Sequence, residues 1–183
     1  MISRVLKDKG IYEYIEAIKI IKNNYPSYLI EFQLLGEAKV NNKSAIKISE
    51  LNIWVDQGLI SYLGVSDEVY NVILECHCVV LPSYREGMPR SILEAFAIGR
   101  PSIVSDVPGC RQVVDNNVTG LHCKVRDSED LLIKMKIILK MTTNKRKKMG
   151  QMGRKKMIKN YDESIVIQSY EQKIIEICNQ KIK

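Results

Sequence analysis

Short apolar runs of strand length alternate with longer amphipathic stretches from one end of this 183-residue chain to the other. Ile11, Ile15, Ile18 and Ile21 recur at helical spacing within Gly10–Asn24, and Pro26 follows to end the stretch. "CVVLPS", Cys78 to Ser83, and "PSIVSD", Pro101 to Asp106, have no period-two alternation. Strands buried on both faces read this way, whereas a half-solvated antiparallel strand alternates. The order of elements then dictates a parallel sheet with helices on both faces.

The expectation is an α/β fold: a three-layer, doubly wound, Rossmann-like parallel sheet followed by C-terminal helices. Strands are predicted at Met1–Val5, Tyr28–Gly36, Leu59–Gly64, Cys78–Ser83, Pro101–Asp106 and Thr119–Val125. Helices are predicted at Gly10–Asn24, after a cap at Ser44, from an N-cap at Ser66 to His77, and at Pro89–Ile98, ended by Gly99. A short helix over Gly109–Asn117 follows, then three more: Ser128–Met141, Asn144–Asn160 and Glu163–Ile182. Residues 1–183 form one domain. The first strand is short for a buried parallel strand, which reads as the back half of a larger two-domain protein.

Composition excludes several classes. Apolar residues make up 45% of the chain, yet no apolar run nears the roughly 20 residues of a membrane helix. The N-terminus lacks a signal-peptide core, so a cytoplasmic location is expected. Cys76, Cys78, Cys110, Cys123 and Cys178 read as free thiols. "ECHC" and "LHC" could offer zinc ligands, but neither has ligand-pair spacing, so no metal is expected. The net charge of +7 owes much to Asn144–Tyr161. That stretch lacks the interleaved aromatics of a nucleic-acid surface. It reads first as a solvated face, and secondly as a contact for anionic membrane at the inner face of the plasma membrane.

Ligands of open α/β sheets sit outside the carboxyl ends of the strands. The residues that follow each strand are therefore the informative ones: Arg4 and Lys9, Gly36, Tyr62 and Leu63, "SYREGMPRS", and "DVPGCR". Arg4 and Lys9 bring two cations. The "EGMPRS" corner offers backbone N–H groups at a helix start, a natural anion site. Gly87 permits close approach of a ligand, and Pro89 suits the first helical turn. Cations and helix N–H groups describe a diphosphate site. Glu86 before the helix and Glu94 beyond its first turn can each accept from hydroxyl pairs. Diphosphate between two hydroxyl-binding carboxylates describes a nucleotide sugar.

These residues resemble a known family. "LPSYREGMPRSILEAFAIGRPSIVSDVPGCRQVVDNNVTG" is similar to the signature region of family 4 retaining glycosyltransferases, of the two-domain GT-B fold. Its mark is the pair Glu86 and Glu94 with seven residues between. "SRVLKDKG" resembles the same family's Arg…Lys-Gly element. The resemblance covers nearly the whole chain and concerns the C-terminal, donor-binding half; the N-terminal acceptor domain is absent from this chain. It implies that Arg4 and Lys9 neutralise the diphosphate, Glu94 holds the ribose, and Glu86 contacts the sugar at its C3 and C4 hydroxyls. It implies too that Gly87, Met88 and Pro89 line sugar and phosphate, with Arg90 and Ser91 beside them and the base near Tyr62 and Leu63. No cofactor or metal is implied. The substrate implied is a nucleotide sugar, a UDP-sugar, for a lipid-linked or polysaccharide acceptor. The fragment alone is expected to be inactive or nearly so.

Two other classes fit less well. An epimerase or dehydrogenase needs a Gly-rich turn after its first strand, and "RVLKDKG" has no GxGxxG. A non-enzymatic nucleotide-binding or receiver-like module would place acidic residues where this chain places Arg4 and Lys9.

Overall fold

The computed structural model describes residues 1–26 and 29–181. Helix α1 spans Ile11–Asn24, β1 Gln33–Leu35, α2 Ile48–Asp56, β2 Ser61–Gly64, α3 Val69–Glu75 and β3 Val79–Leu81. Then come α4 Arg90–Ala97, β4 Ser102–Ser105, α5 Pro108–Val113, β5 Gly120–Cys123, α6 Ser128–Lys140, α7 Thr143–Asn160 and α8 Glu163–Lys181. A 3₁₀ turn, Lys7–Lys9, precedes α1.

All strand pairs are parallel: β1 with β2, and β4 between β3 and β5. The side chains show why three layers form. Val80, Ile103 and Leu121 pack into one core with Ile11, Ile15 and Ile18 of α1 and Leu131 and Met135 of α6. Val79, Leu81 and Val104, their neighbours along the same strands, pack into a second core with Ile73 of α3, Ile92 and Phe96 of α4, and Val113 of α5. Each strand feeds both cores because successive side chains leave opposite faces. Apolar runs without alternation follow directly.

Four expectations need correction. Met1–Val5 is an extended edge rather than a strand, with one parallel bridge from Ile2 to Leu35. Its ladder is nonetheless continuous: the Met1 ammonium donates to Gln33 O at 2.6 Å, Leu35 N–H to Met1 O at 3.0 Å, and Ser3 N–H to Leu35 O at 2.9 Å. The strand expected from Tyr28 is only Gln33–Leu35; Tyr28 itself lies outside the described residues, as does Ile182 at the end of the last helix. Ser44 caps nothing, since α2 starts at Ile48 after Lys47. Ser66 accepts from Glu68 N–H at 3.0 Å in a turn before α3, whose N-cap is Glu68. A Ser two residues too early closes a local turn instead of a helix.

The basic helix α7 lies across α4. A Cβ on Gly150 would fall 1.8 Å from Gly99 O, and one on Gly153 2.7 Å from the Phe96 ring. Only glycine permits that approach. Lys145, Lys147, Lys148, Lys155 and Lys159 point to solvent on the remaining faces. Among the described residues no helix is long and apolar enough to cross a membrane.

Candidate active site

The loops leaving the carboxyl ends of the strands touch through their main chains. Gly36, at φ 144°, packs so tightly on Ser3 that a Cβ would lie 1.9 Å from its carbonyl oxygen. Gly10, in the left-handed region at φ 74°, leaves 2.1 Å between a notional Cβ and Pro82 O. Gly109 packs on the corner itself, with 1.9 Å to Gly87 O and 2.3 Å to Glu86 O. The loops after the first extended segment, β1, β3 and β4 thus interlock in one row. The sequence reading named Gly109 only within "DVPGCR" and gave it no role; its signal was a glycine directly after Pro108 in a strand-end loop. Gly87 differs, for a Cβ there would meet nothing within 4 Å. Among the described residues no contact requires that glycine, which leaves room beside it.

Gly10 against Pro82 brings the turn carrying Lys9 to the loop carrying Glu86. Lys9 Nζ donates to Glu86 Oε1 at 2.6 Å, with the two side chains 19% and 13% exposed. The sequence reading gave both groups to a ligand; the structure has them hold each other. Tyr84 fastens the same junction. Its N–H donates to Asp8 O at 2.8 Å and its hydroxyl to Glu13 Oε1 at 2.7 Å. The Arg126 guanidinium stacks 4.5 Å from the Tyr84 ring centroid. Burial, reinforced by the Glu13 bond, pushes the Tyr84 phenol up to about 12. Nothing local in the sequence marked Tyr84 or Glu13, which lie 71 positions apart.

Arg4 is exposed, and its guanidinium has no hydrogen bond or ion pair among the described residues. It stands as a free cation beside Gly36. Tyr62 is a strut: its hydroxyl donates to Gly36 O at 2.8 Å, and burial raises its phenol. Leu63 next to it is 38% exposed, free to face a planar group. At the corner, Pro89 is the N-cap of α4 rather than a residue of its first turn, and no side chain caps that helix. The first N–H groups of α4, on Arg90 and Ser91, are therefore left for an anion. Met88 is half exposed there. Glu94, in the second turn, meets Arg90 at 3.5 Å in a solvated pair.

Other charged candidates are already engaged. Arg111 donates to Asp106 at 2.6 Å and holds that carboxyl below the usual range. Cys78 borders the interior of the sheet and Cys123 is buried; desolvation pushes both thiols up to about 12, so they stay protonated at neutral pH. His122 Nε2 lies 3.0 Å from Val114 O.

One edge therefore gathers a free guanidinium, a paired ammonium, uncapped helix N–H groups and two carboxylates. The fold defines a class, the doubly wound α/β domains, whose strand-end loops are the usual place for a ligand. More narrowly, the chain belongs to the glycosyl transferases group 1 family, whose model matches residues 1–156. It is 34% identical over 173 residues to N,N'-diacetylbacillosaminyl-diphospho-undecaprenol alpha-1,3-N-acetylgalactosaminyltransferase of Campylobacter jejuni. That match takes in 93% of this chain and 42% of the relative, so the chain spans less than half of that protein's length. The fold of HepE from Anabaena, solved with UDP-glucose, superposes with a TM-score of 0.82 at 19% identity, over 96% of this chain and 47% of that one. The C-terminal domain of a glycosyl transferase group 1 family protein (LpcC) from Francisella tularensis superposes with a TM-score of 0.72 at 22% identity. There the coverage is mutual, 88% of this chain and 85% of that domain, so the fold is that of a GT-B C-terminal domain.

Proposed function

We propose that this chain is the donor half of a retaining glycosyltransferase, binding a UDP-sugar for transfer to a lipid-linked or polysaccharide acceptor held by a further domain. The observation that carries the reading is the interlocked row of strand-end loops, which sets Lys9 on Glu86 beside the uncapped start of α4. The Campylobacter relative, whose name specifies a diphospho-undecaprenol acceptor, and the UDP-glucose complex of HepE support it.

Arg4 and Lys9 neutralise the diphosphate. Its arrival exchanges one anionic partner of Lys9 for another, and Glu86 is released to the C3 and C4 hydroxyls of the sugar. Glu94 holds the ribose, Tyr62 and Leu63 flank the base, and the Gly87–Ser91 main chain meets phosphate and sugar. As the bond from the anomeric carbon to the diphosphate oxygen breaks, charge gathers on the leaving group. Fixed cations stabilise that charge more in the transition state than in the ground state. The acceptor hydroxyl attacks from the same face, its proton passes to the departing phosphate oxygen, and configuration is retained. The charge of the leaving group falls to side chains, with no metal assigned. In this reading the protein works on the cytoplasmic side, with the lysines of α7 toward anionic lipid; charge-reversed α7 variants should lose co-sedimentation with anionic liposomes.

The direct test is calorimetric titration of the chain with UDP and, separately, NAD. UDP should bind and NAD should not, and Arg4→Ala should weaken UDP binding. Indifference to UDP would overturn the proposal.

A further inference from the structure

The loop from β1 to α2, residues 36–47, lies along the segment from Arg4 to Lys7. Val5 N–H donates to Glu37 O at 2.8 Å, Ile46 N–H to Val5 O at 3.2 Å, and Lys7 N–H to Ser44 O at 2.8 Å. Leu6 and Ala45 form the antiparallel bridge between the last two bonds. Arg4 and Lys47 thus flank one bonded pair, Val5 and Ile46, while Lys43 stands next to the Ser44 that holds Lys7. Lys39 lies on the same loop. All five cations are exposed, and none has a side-chain hydrogen bond or ion pair among the described residues. Glu37 is the one acid between Gly36 and Lys47. Folding does not ask for this cluster. Like charges on adjoining segments repel. Lys47 is moreover the N-cap of α2, without a side-chain cap bond, and the helix dipole disfavours a cation there. Local rules broken without a compensating protein contact mark a functional surface.

We propose, resting on the donor reading above, that Lys7, Lys43 and Lys47 form a second anion site beside the donor diphosphate, and that it holds the diphosphate of a lipid-linked acceptor.

Charge, distance and chemistry favour that ligand. The donor diphosphate takes Arg4 and Lys9, which leaves the three lysines beside it without an anion. Lys7 follows Arg4 by three residues, so their backbones lie within roughly 11 Å of each other. An acceptor with one sugar on its diphosphate suits such a gap: its hydroxyl faces the anomeric carbon of the donor, and its own diphosphate lies one ring away. The name of the Campylobacter relative gives an acceptor of that form, a bacillosaminyl group on diphospho-undecaprenol. Ile48, next to Lys47, and Val55, two turns on along the same face of α2, are 44% and 36% exposed. Apolar side chains beside lysines fit a ligand with an anionic head and a hydrocarbon tail.

The test is NMR titration of the UDP-saturated chain with geranyl diphosphate. The amides of Lys7 and of residues 43–47 should shift while UDP stays bound, and geraniol should shift neither group. Lys43→Glu combined with Lys47→Glu should weaken geranyl diphosphate binding by about tenfold or more and leave UDP affinity as it was; Lys43→Arg with Lys47→Arg should keep both. Displacement of UDP by geranyl diphosphate would overturn the proposal, since one anion site would then serve both ligands. So would undiminished geranyl diphosphate binding in the charge-reversed variant. Should that variant instead lose only its co-sedimentation with phosphatidylglycerol vesicles, the lysines serve a membrane surface and the proposal also falls. A chain indifferent to UDP defeats the donor reading; one that binds UDP and refuses geranyl diphosphate defeats this inference alone.

Discussion

At the carboxyl ends of the strands, main chain packs on main chain: Gly36 on Ser3, Gly10 on Pro82, Gly109 on Gly87. At the amino ends of the same strands, β1 and β3 stand apart around a cavity of about 490 Å³. The strand layer thus has a locked end and an open end, and the candidate active site sits on the locked one. Catalytic groups need fixed positions, because a transition state is stabilised only by charges already in place. The open end bears no such demand, and there the contacts are apolar and incomplete.

The strongest way to break the contrast is Gly10→Ala. The new methyl would meet Pro82 O at 2.1 Å in a left-handed residue, so about 2–5 kcal/mol of stability should be lost. Urea midpoints would show it, and UDP binding should fall with them. Gly87→Ala, where a Cβ meets nothing, should leave the midpoint unchanged; an equal loss in both variants would mean that the row of loops is not locked by close approach.

Next come the two cations. In the complete enzyme, Arg4→Ala and Lys9→Ala should each lower kcat/KM by about 10²–10³. Their effects on stability should diverge. Arg4 has no side-chain partner among the described residues, so its loss should leave the urea midpoint alone. Lys9→Ala strands the half-buried Glu86 carboxylate and should cost about 1–3 kcal/mol. Near wild-type activity in either variant would remove the diphosphate assignment.

At the open end, the probe is pH. Burial lowers the Met1 ammonium from 8.0 to about 6. Between those values the unfolded chain binds the proton and the folded chain does not. Stability should therefore rise with pH from about 6 to about 8, by at most roughly 2–3 kcal/mol, and stay level above. Urea midpoints at both ends of that window measure it, and an N-acetylated chain should show no such rise. The smallest effect belongs to Arg90→Ala. The Arg90–Glu94 pair is solvated, so stability should change by less than about 0.5 kcal/mol, while UDP affinity reports whether Arg90 meets the ligand.

Element types were legible in the sequence because periodicity reports burial. The isoleucine stripe of α1 and the unbroken apolar runs of β3 and β4 are direct consequences of which faces meet a core. Capping was less legible. Ser44 and Ser66 carry the right side chain at the wrong distance, and only backbone geometry distinguishes a cap from a turn. Lys9 and Glu86 were legible as residues of the strand-end loops but not as partners, since 77 positions separate them and their meeting depends on Gly10 fitting under Pro82. The Tyr84–Glu13 bond and the cavity escaped for the same reason: both follow from how strands sit in register, which no local pattern encodes.

The locked row has a consequence for how such a domain can diversify. Its fit is made by carbonyls and glycine Cα atoms, which every sequence shares, while the side chains of Leu63, Arg85 and Met88 stand outside the joint. If the proposed function holds, those positions can be rewritten for another sugar or base without disturbing the scaffold that aims them, so new specificities would take a few substitutions and not a new architecture.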